Sequence, residues 1–435
     1  MTNTAYPKPP SFFDFFIYWL KLGFISFGGP AGQISMMHQE LVEKRRWISE
    51  HRFLHALNYT MVLPGPEAQQ LATYIGWLMF GVRGGIVAGV LFVLPSLFIL
   101  SALTWVYLTY GSVNEVAGIL YGIKPAVTAI VLFAAYRIGS KALSNPILKI
   151  LAVFAFIAIF QFKIPFPYIV VIAAFIGFLG ARLSPNTFTT SAHHSSDEKR
   201  YGSALIDDDT PIPEHAKFKW SRFLSFAVIG VAFGVAVISL LNNQVLNDMG
   251  GFFTRAALVT FGGAYAVLPY IYQGGVEQYQ WLNATQMMDG LALGETTPGP
   301  LIMVVAFVGF VGAWGKEIFG AEASLLAGFA GASVATFFTF LPSFLFIFLG
   351  GPGIEATRGD LKFSAPLSAV TAAVVGVIVN LAVFFALATL YQNQQIDWIA
   401  LAITITSLIA LLRFKISIMT VIVASAIIGL GLSFF

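Results

Sequence analysis

The chain contains no cysteine in 435 residues. Disulfides, thiolate metal centres and thiol redox chemistry are therefore excluded. Charge is scarce as well: Asp, Glu, Lys and Arg make up 10% of the residues, against about 25% in soluble domains. With 57% hydrophobic residues and a mean hydropathy of +0.79, a soluble fold is excluded. Met1 to Pro10 is polar and proline-rich. The apolar stretch after it carries Asp14 and Lys21 and lacks a small-residue cleavage site, so no removable signal peptide is expected. The net charge of +3 says little by itself, because in a membrane protein the distribution of Lys and Arg among loops is what carries information.

What is present is apolar sequence in long blocks. Ile86 to Thr109, Ile164 to Ala181, Phe223 to Leu241, Ala323 to Ile354, Phe363 to Ile396 and Ile416 to Phe435 are uncharged. Each reaches the roughly 20 residues that a membrane crossing needs. The 42 Phe suit a lipid-facing surface and the 41 Gly suit close helix packing. The expected fold is an all-α polytopic membrane protein, surrounded by lipid.

One phrase occurs twice. Phe27-Gly28-Gly29, Trp47 and Pro64-Gly65-Pro66 return as Phe261-Gly262-Gly263, Trp281 and Pro298-Gly299-Pro300, all displaced by 234 positions. A constant offset at three landmarks means two copies of one unit, and helix breaks in apolar surroundings are a mark of transporter sites between repeats. Later landmarks drift: Leu94-Pro95-Ser96 matches Leu341-Pro342-Ser343, and Phe162-Lys163-Ile164 matches Phe414-Lys415-Ile416. The reading divides the chain into a first repeat (1–183), a cytoplasmic linker (184–222), an extra span (223–245) and a second repeat (246–435). Ser184 to Lys219 is hydrophilic, with His193-His194 and Asp207-Asp208-Asp209. It reads as a flexible linker in which metal binding is weakly supported.

A single extra crossing before the second copy turns that copy upside down. The charges agree with this. Lys44-Arg45-Arg46 and Arg52 correspond to Gln273 to Asn283, which has no Lys or Arg, whereas Arg358, Lys362, Arg413 and Lys415 cluster in other loops of the second copy. Several segments near the breaks are too short to span. Two re-entrant hairpins and four full spans per half give nine spans plus four hairpins; thirteen spans result if every arm crosses. Either count puts the N-terminus inside and the C-terminus outside.

Pro-Gly-Pro stops a helix, since each proline lacks an N–H and constrains the residue before it. Pro66 and Pro300 are expected in the first turn of a new helix, as is Pro30, and the N–H groups that follow lack intrahelical partners. Four such starts from opposed halves form a positively polarised cavity that favours an anion. Lys21 and Arg255 stand at the same offset and add a pair of cations. Packing kinks and interfacial snorkelling are the plainer alternative. Candidate substrate-binding residues are Lys21, Gly28, Gly29, Pro30, Pro64, Gly65, Pro66, Gln69, Arg255, Gly262, Gly263, Thr296, Thr297, Pro298, Gly299 and Pro300. Glu67 and Glu295 flank the breaks and Glu40 lies nearby. Acids inside a membrane cost about 2.5–3.5 kcal/mol and commonly mark ion pathways, so these three are the proton-coupling candidates. Helix capping is the alternative role.

Phe27-Gly28-Gly29-Pro30 with Gly32 and Gln33, Trp47, and Leu63-Pro64-Gly65-Pro66 with Gln69 resemble the chromate ion transporter family. So do Phe261-Gly262-Gly263 and Glu295-Thr296-Thr297-Pro298-Gly299-Pro300. The likeness spans nearly the whole chain except the linker and matches that family's long, two-domain form. It implies a secondary transporter in the bacterial cytoplasmic (inner) membrane that exports chromate, with sulfate as the isosteric alternative. Leaving a negative interior yields about 2.3 kcal/mol per charge per 100 mV, roughly 4.6 kcal/mol for a dianion. Proton coupling would add to that. A passive oxyanion channel is the runner-up reading and an integral membrane enzyme a remote one, since flavin, haem and metal signatures are lacking. No cofactor and no nucleic-acid partner are expected, and a homodimer is left open.

Overall fold

The computed structural model describes residues 7–27, 29–183, 201–211, 213–261, 263–357, 364–392 and 395–434. Within them the chain is almost entirely helical. The strand pairing is one two-residue hairpin, Tyr391 opposite Ile396 and Gln392 opposite Gln395, plus an isolated bridge between Ile48 and Ile206. Gly28, Gly262, Arg358, Lys362, His193 and His194 lie outside the described residues.

The first half begins with α1 (Phe12–Ile25), α2 (Gly29–His38), α3 (Glu50–Val62) and α4 (Glu67–Tyr110). A capping box between Ser11 and Asp14 starts α1, and the Ser49 hydroxyl accepts from Arg52 N to start α3. α4 is two helices across a sharp bend, because Phe80 and Gly81 (φ 63) leave helical geometry. The two arms cross where Gly76 meets Gly84: a Cβ on Gly76 would sit 2.5 Å from the Gly84 carbonyl oxygen. Only residues without side chains let two helices approach so closely.

Contacts give the path. Phe12 and Phe15 pack on Phe80 at ring separations of 5.4 and 4.8 Å, while Gly23 faces the Leu91 carbonyl and Pro95. α1 thus runs alongside the second arm of α4, in the same direction. Trp47 lies 5.5 Å from Tyr18 and 6.4 Å from Phe15, so the chain after α2 has come back to where α1 began. α3 then rises again, and the first arm of α4 returns to Phe80. The segment from α1 to Phe80 is therefore two hairpins entering from one end of the molecule. α5 (Asn114–Ala142), α6 (Pro146–Phe160) and α7 (Phe166–Leu183) complete the half as up-and-down helices.

After α8 (Trp220–Leu240) the order recurs with α9 (Gln244–Leu258), α10 (Ala264–Tyr272), α11 (Ala284–Thr296) and α12 (Val304–Gly315). α13 (Ser324–Thr357), α14 (Ser364–Leu390), α15 (Trp398–Leu412) and α16 (Ile418–Leu432) follow. Details repeat with the elements. Single π-helical turns occupy Gln39–Lys44 and Gln273–Gln278. Positive φ recurs at Arg46 and Gln280, and at Lys163 and Lys415. Trp281 packs on Phe252 and Phe253 as Trp47 does on α1, and Gly309 crosses Gly331 as Gly76 crosses Gly84. α9 to α12 hang from the end opposite to α1 to α4: Tyr107, at the far end of α4, donates to Asp289 of α11, and Phe166 N donates to Gln273.

Trp19, Trp77, Tyr74 and Phe15 are among the largest fully buried side chains. By contrast Phe154, Val171 and Val228, on α6, α7 and α8, are well exposed. Large apolar groups facing outward belong to a lipid-facing perimeter. Among the described residues, five helices are long and apolar enough to cross a membrane, and five further apolar helices are shorter.

The expected flexible linker needs correction in its described part. Residues 201–211 and 213–219 pack as a strap against the end where the first-half hairpins enter. Leu205 N and Ile206 N donate to Arg46 O and Trp47 O, and Ser49 N donates to Ile206 O. The Ser49 hydroxyl donates to Asp208, and a His215 ring nitrogen lies 2.8 Å from the Trp77 carbonyl. A hydrophilic composition is equally compatible with a segment that satisfies exposed backbone at a helix end, which is what this one does.

Candidate functional site

The four helix breaks meet in two reciprocal contacts. Gly65 N donates to Thr260 O at 2.8 Å and Gly299 N donates to Ser26 O at 2.9 Å. Ser26 and Thr260 are counterparts at the repeat offset, so each Pro-Gly-Pro corner docks on the other half's Gly-Gly break. Gly65 and Gly299 have φ of 116° and 102°. A Cβ there would also lie 2.7 Å from Ser343 Oγ and 2.7 Å from Ser96 Cβ, respectively. Both backbone conformation and space demand glycine.

Pro66 and Pro300 sit one position earlier than expected. Pro66 caps α4 in extended geometry (φ −77°, ψ 102°), and Pro300 (φ −61°, ψ 134°) precedes a 3₁₀ turn, Leu301–Met303, that leads into α12. A proline's φ fits the extended cap as well as the first helical turn. Pro30 is the second residue of α2, whereas Ala264 opens α10.

Side-chain amides tie down the crossing. Gln33 Nε2 donates to Gly299 O at 2.6 Å and Gln70 Nε2 to Pro64 O at 2.7 Å, while Gln69 Nε2 donates to Thr73 at 3.0 Å. Ser26 Oγ, Ser96 Oγ and the Oε1 atoms of Gln33, Gln69 and Gln70 are buried without a hydrogen-bond partner among the described residues. Unpaired buried polar atoms in such density leave hydrogen bonds to be made with water or a ligand.

Two connected cavities open beside the crossing. One, of about 470 Å³, is lined by Gly29, Pro30, Glu67, Arg137, Lys141, Gly263, Tyr265 and Glu295, among others. The other, of about 930 Å³, shares Gly29, Arg137 and Glu295 and adds Thr297, Gly299 and Lys415. Both extend from the breaks toward the strap end. The starts of α2 and α10 therefore border the same space as three cations and two carboxylates. The Tyr265 hydroxyl donates to Glu295 at 2.5 Å. Glu67 makes no hydrogen bond or ion pair among the described residues. Near the opposite end, a cleft between α10, α14 and the α6–α7 turn holds only about 60 Å³.

The remaining candidates are scattered. Lys21 and Arg255 are exposed and line neither cavity; Arg255 reaches Gly251 O and Tyr279. The paired-cation reading draws no support from this placement. Thr296 and Thr297 donate to Leu293 O and Gly294 O in the last turn of α11. Glu40 lies in the π-turn at the strap end, bonded to Lys44 (3.1 Å) and Arg45 (2.9 Å). Burial raises its proton affinity, but the bonds from Arg45 and Lys44 outweigh that and hold its carboxyl below the ordinary value. Residues that were not site candidates now stand in the cavity wall: Arg137, Lys141, Tyr265 and Lys415. Arg137 and Lys141 are in the last turns of α5. Their four-residue spacing, which puts both on one helix face, was the available signal.

Two buried polar bridges join the halves. Arg52 of α3 pairs with Glu355 of α13 at 2.8 Å, and Tyr74 also donates to Glu355. Asp289 of α11 lies 3.6 Å from Lys124 of α5 and accepts from Tyr107 at 2.9 Å.

Interrupted helices meeting beside a charged cavity in an apolar helical body are the features of a multi-pass membrane transporter. The sequence profile described as "Chromate transporter" matches residues 13–178 and 247–430, and the chain belongs to that family. It is 31% identical to a probable chromate transport protein of Synechococcus elongatus, over 83% of this chain and 81% of the relative. A chromate transport protein of Cupriavidus metallidurans is 30% identical over 95% and 91%, and one of Pseudomonas aeruginosa is 32% identical over 87% and 82%. No solved structure matches.

Proposed function

We propose that this protein is a secondary transporter that exports chromate from the bacterial cytoplasm across the inner membrane. The observation that carries the reading is the convergence of four helix breaks, two from each half, on a cavity bordered by cations and helix starts. That arrangement supplies N–H donors and positive potential where a tetrahedral dianion fits. The family relatives named for chromate support the substrate; sulfate shares the geometry and charge.

The proposed topology has nine crossings, α4 (second arm) through α8 and α13 through α16, with four hairpins that turn back at the breaks. The two halves are then inverted. Lys44, Arg45, Arg46, Arg182, Lys217, Lys219 and Arg222 collect at the strap end, which makes that end cytoplasmic. The cavities in turn face the cytoplasm, as an exporter's loading state requires. Export of a dianion down the membrane potential is favourable by roughly 4.6 kcal/mol per 100 mV, and Glu67 and Glu295 are placed to exchange protons with the same space.

The experiment is chromate flux in proteoliposomes with an imposed potential and, separately, an imposed pH gradient. Saturable, potential-dependent flux is expected. Protein that moves no chromate in either direction would sink the proposal; resolvable unitary currents would reassign it as a channel.

A further inference from the structure

Resting on the transporter reading above, we infer that Arg137, backed by Lys141, is the cation that holds the oxyanion and selects a dianion over a monoanion. Arg137 borders both cavities, alongside Gly29 at the start of α2 and Glu295 at the end of α11. It therefore stands where the two spaces share a wall beside the breaks. Its guanidinium makes no hydrogen bond or ion pair among the described residues, so its donors are free for a ligand. Lys141 follows one turn later on the same face of α5 and lines the first cavity.

Arg137 is the one cation among the described residues that lines both cavities. Arg137, Lys141 and Lys415 face Glu67 and Glu295, three positive charges against two negative. With Arg137 removed, two cations among the described residues face two carboxyl groups, and no surplus of cations remains for a dianion whenever both carboxyls are ionised. A guanidinium also matches two oxygens of a tetrahedral anion at once, which an ammonium cannot do. The assignment is one-sided: the repeat counterpart of α5, α14 (Ser364–Leu390), contains neither Lys nor Arg. Both halves would supply helix starts while one alone supplies the cation.

The test uses the full-length protein, purified and also reconstituted, with Arg137→Gln, Arg137→Lys, and Lys21→Gln and Arg255→Gln as comparison variants. Chromate binding by titration should weaken at least tenfold in Arg137→Gln. Arg137→Lys should lose less affinity and keep the preference for chromate over perchlorate, a monovalent tetrahedral ion, that Arg137→Gln loses. Lys21→Gln and Arg255→Gln should bind as the parent does. If the parent carries chromate and Arg137→Gln keeps both affinity and dianion preference, the Arg137 assignment falls while the transporter reading stands. If Arg137→Gln does not fold, unchanged bidentate-dependent affinity in Arg137→Lys overturns it instead. A parent protein that neither binds nor moves chromate overturns both.

Discussion

The helices that end in the two Pro-Gly-Pro corners, α3 and α11, occupy equivalent places in the repeat, yet opposite chemistry pins them. α3 offers a cation, Arg52, to Glu355 of the other half; α11 offers an anion, Asp289, to Lys124 and Tyr107. The environments differ as much as the signs. Arg52 and Glu355 are 4% and 1% exposed and 2.8 Å apart, whereas Lys124 is 23% exposed and 3.6 Å from Asp289. A closed pair cannot exchange its partner for water, so separating it strands a buried charge. An open pair can be hydrated as it parts. The same fold position is thus held rigidly at the strap end and loosely at the other.

The strongest way to break this comparison is Glu355→Gln. It should cost about 3–5 kcal/mol, the penalty for orphaning a buried arginine, read as a lowered thermal midpoint in detergent. A loss below about 1 kcal/mol would mean that water reaches Arg52. Gly65→Ala and Gly299→Ala come next, each costing about 1–3 kcal/mol from a disfavoured backbone conformation, with transport slowed at least tenfold. The two corners have matching geometry, so markedly unequal effects on the thermal midpoint would show that their equivalence is only in outline. Asp289→Asn should cost about 1 kcal/mol, since Lys124 can turn to solvent; a loss equal to that of Glu355→Gln would erase the contrast. The smallest effect belongs to Glu40. Its carboxyl titrates below the ordinary value, so its pairs with Lys44 and Arg45 contribute at neutral pH and are lost as pH falls through that lowered value. Glu40→Gln should remove under about 1 kcal/mol and flatten the acid limb of the stability profile.

Local features were legible in the sequence and distant ones were not. Pro64-Gly65-Pro66 and Pro298-Gly299-Pro300 break helices wherever they occur. The all-helical membrane fold followed from apolar length and scarce charge. The partners of the breaks were hidden, because the Gly65–Thr260 and Gly299–Ser26 bonds join residues far apart in sequence. Arg52 reads as a loop cation until Glu355 arrives beside it. Arg137 and Lys141 were not among the site candidates, since nothing local says that the last turns of α5 border a cavity. The strap failed for a related reason: polarity in Tyr201 to Lys219 says the segment is wet, not that its carbonyls and amides pair with residues 46–49.

Within α8, only Gly234 is buried, and its packing on α13 is a thin seam: Gly230 and Gly234 lie against Leu345 and Leu341, and the rings of Phe226 and Phe233 meet those of Phe348 and Phe337. A helix that packs so little does its work on the proposed topology by being counted. It shifts the parity of the chain, so that two copies of one sequence enter the bilayer from opposite faces. Its own side chains are then interchangeable with those of any apolar helix of equal reach, and selection on it is arithmetic before it is chemical.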